Sequence, residues 1–90
     1  MEITDIKIRT VAGDEQQLKA FATVVFDDEL VVHNIKVVSN GEKLIIAMPS
    51  RQVSNGEYKD VVHPITSTFR KQLSDAVISA YLEEKDRPRG

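Results

Sequence analysis

The sequence predicts an α+β domain, an antiparallel sheet of four to five strands built from hairpins and followed by one main C-terminal helix. Three observations carry that expectation. Residues 2–62 break into short β-prone segments, the first two of which alternate apolar and polar at period two. The tetrapeptide Ser-Asn-Gly-Glu stands at 39–42 and again at 54–57, each time between β-prone runs. From residue 68 to 84 the apolar spacing changes to that of a helix.

The segments follow in order. Over 3–11, Ile6 and Ile8 share a face while Asp5, Lys7 and Arg9 share the other, the pattern of a strand with one wet side. Gly13-Asp14-Glu15-Gln16-Gln17 is polar and reads as a loop. Leu18, Ala20, Ala22, Val24 and Phe26 give the clearest strand face, opposite Lys19 and Thr23. Asp27-Asp28-Glu29 is a solvated hairpin turn, and 30–38 is rich in β-branched residues, with Val31, His33, Ile35 and Val37 on one face. Asn40-Gly41 suits the two central positions of a type I′ turn, where both residues need φ > 0. Residues 43–48 are nearly continuous apolar, a fourth strand, and Pro49 has no donor with which to prolong it.

Asn55-Gly56 would return the chain through 57–62 as a fifth strand. A two-residue loop there sets Ser54 opposite Glu57, Val53 opposite Tyr58 and Arg51 opposite Asp60, an ion pair across the strands. Pro64 holds His63 extended, and Thr66, Ser67 and Thr68 are three candidate helix N-caps. The helix spans roughly 67–85, with Phe69, Leu73, Ala76, Val77, Ala80 and Tyr81 as its apolar stripe, and 86–90 is a fraying tail.

Ninety residues make a single domain, 1–90. A chain of this size buries only about 60–65% of its unfolded surface, so its core is thin. It has no cysteine to staple that core, which favours a homodimer and suits a reducing cytoplasm. No apolar run approaches the roughly 20 residues of a membrane span. The opening residues are acidic and lack an apolar leader core, so a cytoplasmic location without membrane attachment is expected.

Little in the chain points to catalysis. Two histidines and no cysteine, without close ligand spacing, predict no metal site. There is no P-loop and no G-x-G-x-x-G, and no cofactor is expected. Ser50, Asp60 and His63 contain the residue types of a triad, but no nucleophile elbow accompanies them. His33 reads as a hydrogen-bonded core or interface residue, and His63 as a residue satisfying local backbone groups.

The net charge of −2 argues against an all-over nucleic-acid coat. The charges are unevenly placed, however. Between 51 and 71 stand four basic residues, Arg51, Lys59, Arg70 and Lys71, against two acids, Glu57 and Asp60. Arg70 and Lys71 lie near the helix start, where cations oppose the macrodipole. Cations placed against local preference leave two readings open, a phosphate contact or a solvated charged face.

The ordered block Met48-Pro49-Ser50-Arg51, Gly56-Glu57-Tyr58-Lys59-Asp60 and His63-Pro64-Ile65 resembles the stage V sporulation protein G (SpoVG) family. Residues 2–9, Leu18-Lys19-Ala20 and Val32-His33-Asn34-Ile35 extend the likeness over nearly the whole chain. The resemblance implies a cytosolic bacterial homodimer with a sheet followed by a helix. It implies a link to septation and sporulation control and, for some members, DNA- and RNA-binding regulation without enzymatic activity. Nucleic-acid contact then falls to Arg51, Lys59, Arg70 and Lys71, with Met48, Pro49, Ser50, Gly56, Asp60, His63 and Pro64 as motif positions. The chain departs from the family pattern at Gln52, where a second basic residue is common, and at Ser54, where proline is common. The other reading is a protein-interaction module of the division machinery that does not touch nucleic acid.

Overall fold

The computed structural model describes residues 1–11 and 17–86. The expected loop at 13–17 therefore lies, apart from Gln17, outside the described residues, as do residues 87–90 of the expected tail. Four strands, β1 (Ile3–Thr10), β2 (Leu18–Phe26), β3 (Leu30–Ser39) and β4 (Leu44–Ala47), form an antiparallel meander in the order β1-β2-β3-β4. Strands β5 (Ser50–Gln52) and β6 (Tyr58–Asp60) form a separate two-stranded ribbon, and α1 (Ser67–Asp86) closes the chain. The α+β expectation holds, but the fifth strand does not join the main sheet. Pro49 interrupts the ladder after β4, and its carbonyl instead accepts from the Val61 N–H at 2.7 Å.

Both expected Asn-Gly turns form hairpins, with a different geometry at each tip. Asn40 is not a positive-φ residue; Gly41 (φ 100) is. Asn40 N–H donates to the Lys43 carbonyl at 3.1 Å, and its side-chain oxygen accepts from the Lys43 N–H at 3.1 Å, so Gly41 and Glu42 occupy the tip. The turn with two central positive-φ residues is the acidic one, Asp27 (φ 53) and Asp28 (φ 55), closed by Glu29 N–H on the Phe26 carbonyl at 3.0 Å. The start of the chain holds it there. Asp27 Oδ1 accepts from Glu2 N–H at 2.9 Å, and Thr4 Oγ1 accepts from Asp28 N–H at 3.0 Å.

Strand β3 departs from simple alternation. Val24 pairs with Val32 and Ala22 with Ile35, so His33 and Asn34 together oppose Thr23. This is a β-bulge, made by Asn34 at φ 64. It reverses the parity of everything before it. Val32 is buried, whereas Val31 and His33, expected on the core face, are exposed. Asn34→Ala puts a residue with no local polar side chain into the left-handed region. The expected loss is about 1 kcal/mol, read from urea unfolding of the two proteins.

The core lies between one face of the sheet and the helix. It contains Ala20, Ala22, Val24 and Phe26 from β2, Val32, Ile35 and Val37 from β3, then Met48, and Leu73, Val77 and Tyr81 from α1. The helix stripe is the expected one. Thr66 is the N-cap among the three candidates, its Oγ1 accepting from Phe69 N–H at 3.1 Å while its carbonyl takes the first helical bond from Arg70 N–H at 3.0 Å. Phe69 packs tilted on Phe26, with ring centroids 5.8 Å apart. Among the described residues no helix is long and apolar enough to cross a membrane.

Candidate nucleic-acid interface

The β5–β6 ribbon carries the first half of the basic set. Its loop is Ser54-Asn55-Gly56, one residue longer than the two-residue turn expected. Val53 N–H donates to the Glu57 carbonyl at 2.8 Å, and Gly56 N–H to the Val53 carbonyl at 2.9 Å. Gly56 takes φ 87, the left-handed residue that a three-residue hairpin loop needs. The extra residue shifts the register by one. Ser50 now faces Asp60, Arg51 faces Lys59, and Gln52 faces Tyr58. The expected Arg51–Asp60 pair is therefore replaced by two cations directly opposite one another.

Side chains alternate across a ribbon, so Arg51 and Lys59 share one face and Tyr58 and Asp60 the other. All of them are exposed. Among the described residues neither Arg51 nor Lys59 makes an ion pair. Like charges directly opposite weaken a strand pair. Burial does not compensate here, so local folding energy does not account for the arrangement.

The second half of the set has local employment. Arg70 Nη2 donates to the Pro64 carbonyl at 3.3 Å, tying the His63-Pro64-Ile65 segment to the helix. His63 Nδ1 lies 3.0 Å from the same carbonyl. That oxygen can only accept, so the contact uses the Nδ1–H form of the imidazole. Lys71 Nζ pairs with Asp75 Oδ2 at 2.8 Å, one helical turn on. The hydrogen bond to Asp75, and then its charge, raise the Lys71 pKa above the ordinary lysine value. The structure thus joins Arg51 to Lys59 across one rung and turns Arg70 and Lys71 to partners of their own.

The motif residues have visible positions. Met48 and Pro64 are buried, Pro49 ends the main sheet, and Gly56 closes the ribbon. Ser50 and Asp60 meet as a cross-strand pair, while His63 is engaged at Pro64 and not with either of them. Among the described residues no three potential ligands converge on a metal position. Beside the helix start lies an apolar cleft of about 240 Å³, bordered by Leu30, Val62, Pro64, Ile65 and Phe69. Ile65 is 90% exposed and Val61 64% exposed. That apolar surface was not foreseen, although three large apolar residues in Val61-Val62-His63-Pro64-Ile65, ahead of the helix stripe, were a signal for it.

The SpoVG family model matches residues 1–83. The chain is 48% identical over 87 residues to a SpoVG protein of Finegoldia magna, covering 97% of this chain and 80% of that one. It is 44% identical over 86 residues to one of Alkaliphilus oremlandii, covering 96% and 91% of the two chains. It is likewise 44% identical over 81 residues to one of Treponema denticola, covering 90% and 86%. All three relatives carry names that refer to septation. A family match over residues 1–83 and this degree of identity along nearly the whole chain make it a member of the SpoVG family.

Proposed function

We propose that the protein is a non-enzymatic, nucleic-acid-binding regulator linked to septation and sporulation, acting as a cytoplasmic homodimer. The observation that carries this reading is the Arg51–Lys59 rung, two exposed cations held opposite one another on a free-standing ribbon. A two-stranded ribbon is narrow enough to enter the major groove of B-DNA, and cations on its face meet phosphates on the way. Arg70 and Lys71 extend the contact at the helix start, the second by exchanging its bond to Asp75 for a phosphate. A dimer doubles these few charges, and linking two weak sites raises avidity without a new contact.

The test is fluorescence-anisotropy binding to mixed-sequence duplex DNA and RNA oligonucleotides over a salt series. Wild type is compared with Arg51→Ala/Lys59→Ala/Arg70→Ala/Lys71→Ala, after light scattering shows one oligomeric state for both. Micromolar or tighter binding that weakens with salt, and is lost in the variant, is expected. No binding by the folded wild type at low salt would sink the reading.

A second reading rests on the apolar surface around Ile65, Val61 and Leu30. There the protein is an interaction module whose exposed apolar patch meets another protein, a second copy or a component of the division machinery. Ile65→Asp distinguishes these. If the patch joins two copies, the variant is a folded monomer by light scattering, with unchanged circular dichroism. An unchanged oligomer leaves the patch to a different protein.

A further inference from the structure

The helix covers one face of the four-stranded sheet, and among the described residues no element covers the other. The bare face is not a neutral wet surface. The register sets Arg9, Phe21 and Lys36 in a single row across β1, β2 and β3. Lys7 faces Thr23 in the next row, where the bulge at Asn34 places His33 against the same β2 residue. Asp5, opposite Val25, follows one row further. Among the described residues, Lys7, Arg9 and Lys36 thus surround one outward aromatic ring, with Lys19 two residues along β2 on the same face and Asp5 the carboxylate on β1, in a chain whose net charge is −2.

The outward face of the ring already carries a flat cation. Phe21 is half-buried, and the Arg9 guanidinium lies 5.4 Å from its centroid. Lys7, Arg9, Phe21, Thr23, His33 and Asn34 border a shallow open cleft of about 290 Å³. Its walls are two long cations, an imidazole and an amide around an aromatic floor.

We propose that this face binds single-stranded nucleic acid, with Phe21 as the stacking platform for a base and Lys7, Arg9 and Lys36 as phosphate contacts. The base takes the place of the guanidinium over the ring, and Arg9 turns to a neighbouring phosphate. The aromatic requires a single strand. Bases in a duplex are already stacked on both sides, and a ring lying on a sheet cannot reach between them, whereas an unpaired base can settle on it. The cations alone would accept either form, so the strand preference resides in Phe21. This surface shares no residue with the β5–β6 ribbon and stands whether or not the ribbon binds.

The test uses one fluorescein-labelled oligonucleotide of about 12 nucleotides, as a single strand and as a duplex with its complement. Phe21→Leu keeps the apolar bulk and removes the ring; Phe21→Tyr keeps the ring. Circular dichroism melting confirms that each variant is folded. Stacking of one base predicts that Phe21→Leu weakens single-strand binding roughly 5- to 150-fold, leaves duplex binding unchanged, and that Phe21→Tyr binds as wild type does. Lys36→Ala lowers the salt slope for the single strand by about 0.7. The Arg51→Ala/Lys59→Ala variant retains the single-strand binding that Phe21→Leu loses, which separates this proposal from the ribbon. A folded Phe21→Leu with wild-type single-strand affinity overturns the proposal, as does a wild type that binds no single strand.

Discussion

Leu73→Asp is expected to abolish the cooperative unfolding transition. Leu73 is 1% exposed and lies on the helix stripe between Phe69 and Val77, against the sheet's inner face. Shortening such a leucine to alanine costs about 2–5 kcal/mol. The carboxylate adds to that loss the penalty of an unpaired buried charge, since among the described residues no buried polar group is present to receive it. A small domain has on the order of 5 kcal/mol to lose. Thermal melts by circular dichroism are the readout: Leu73→Asp with no sigmoidal transition, Leu73→Ala with a lowered one. Ser79→Asp, an exposed position on the same helix, is expected to stay within about 0.5 kcal/mol of wild type. A Leu73→Asp protein that melts like wild type would mean that the helix does not hold the sheet.

The same residue shows what the sequence could reveal. Phe69, Leu73, Val77 and Tyr81 are spaced for one helix face, and a helix presents that face whatever lies opposite. Strand β2 was equally legible because its inward residues alternate without interruption from Ala20 to Phe26. Strand β3 was not. Its alternation is broken by a single backbone angle at Asn34, and nothing in the local apolar pattern marks that residue as left-handed. Turn geometry was hidden for a related reason. Asp27 and Asp28 are held at positive φ by bonds to Glu2 and Thr4, residues distant in sequence.

At the candidate interface, the charges were legible and their pairing was not. One extra residue in the loop before Glu57 exchanged the expected Asp60 for Lys59 as the partner of Arg51. The Lys71–Asp75 pair lay at an i,i+4 spacing that could have been read directly. The outward placement of Phe21 was also implicit in the alternation of β2, since it lies between Ala20 and Ala22. Its cationic neighbours came from β1 and β3, and only the strand register brings them beside it.

Arg51→Glu is expected to move stability and binding in opposite directions. In the native ribbon Arg51 faces Lys59, so glutamate replaces a repulsive cross-strand pair with an attractive one. Such pairs contribute about 0.2–1 kcal/mol, with the lower end expected for exposed side chains. For a domain of this size that corresponds to a rise in Tm of a few degrees at most, about 1–4 °C. Binding through the ribbon loses a cation and gains an anion at the same point. Loss of one phosphate-neutralising cation from a duplex interface reduces the salt slope by about 0.9, and the glutamate's repulsion of phosphate weakens low-salt affinity further. Arg51→Glu/Lys59→Glu separates the two effects. It restores like-charge repulsion across the rung, so the gain in Tm disappears, while binding weakens further. A variant damaged in its fold would lose both properties together. If Arg51→Glu instead gains stability and keeps wild-type affinity and salt slope, the ribbon is not where nucleic acid binds, and the opposed cations need another explanation.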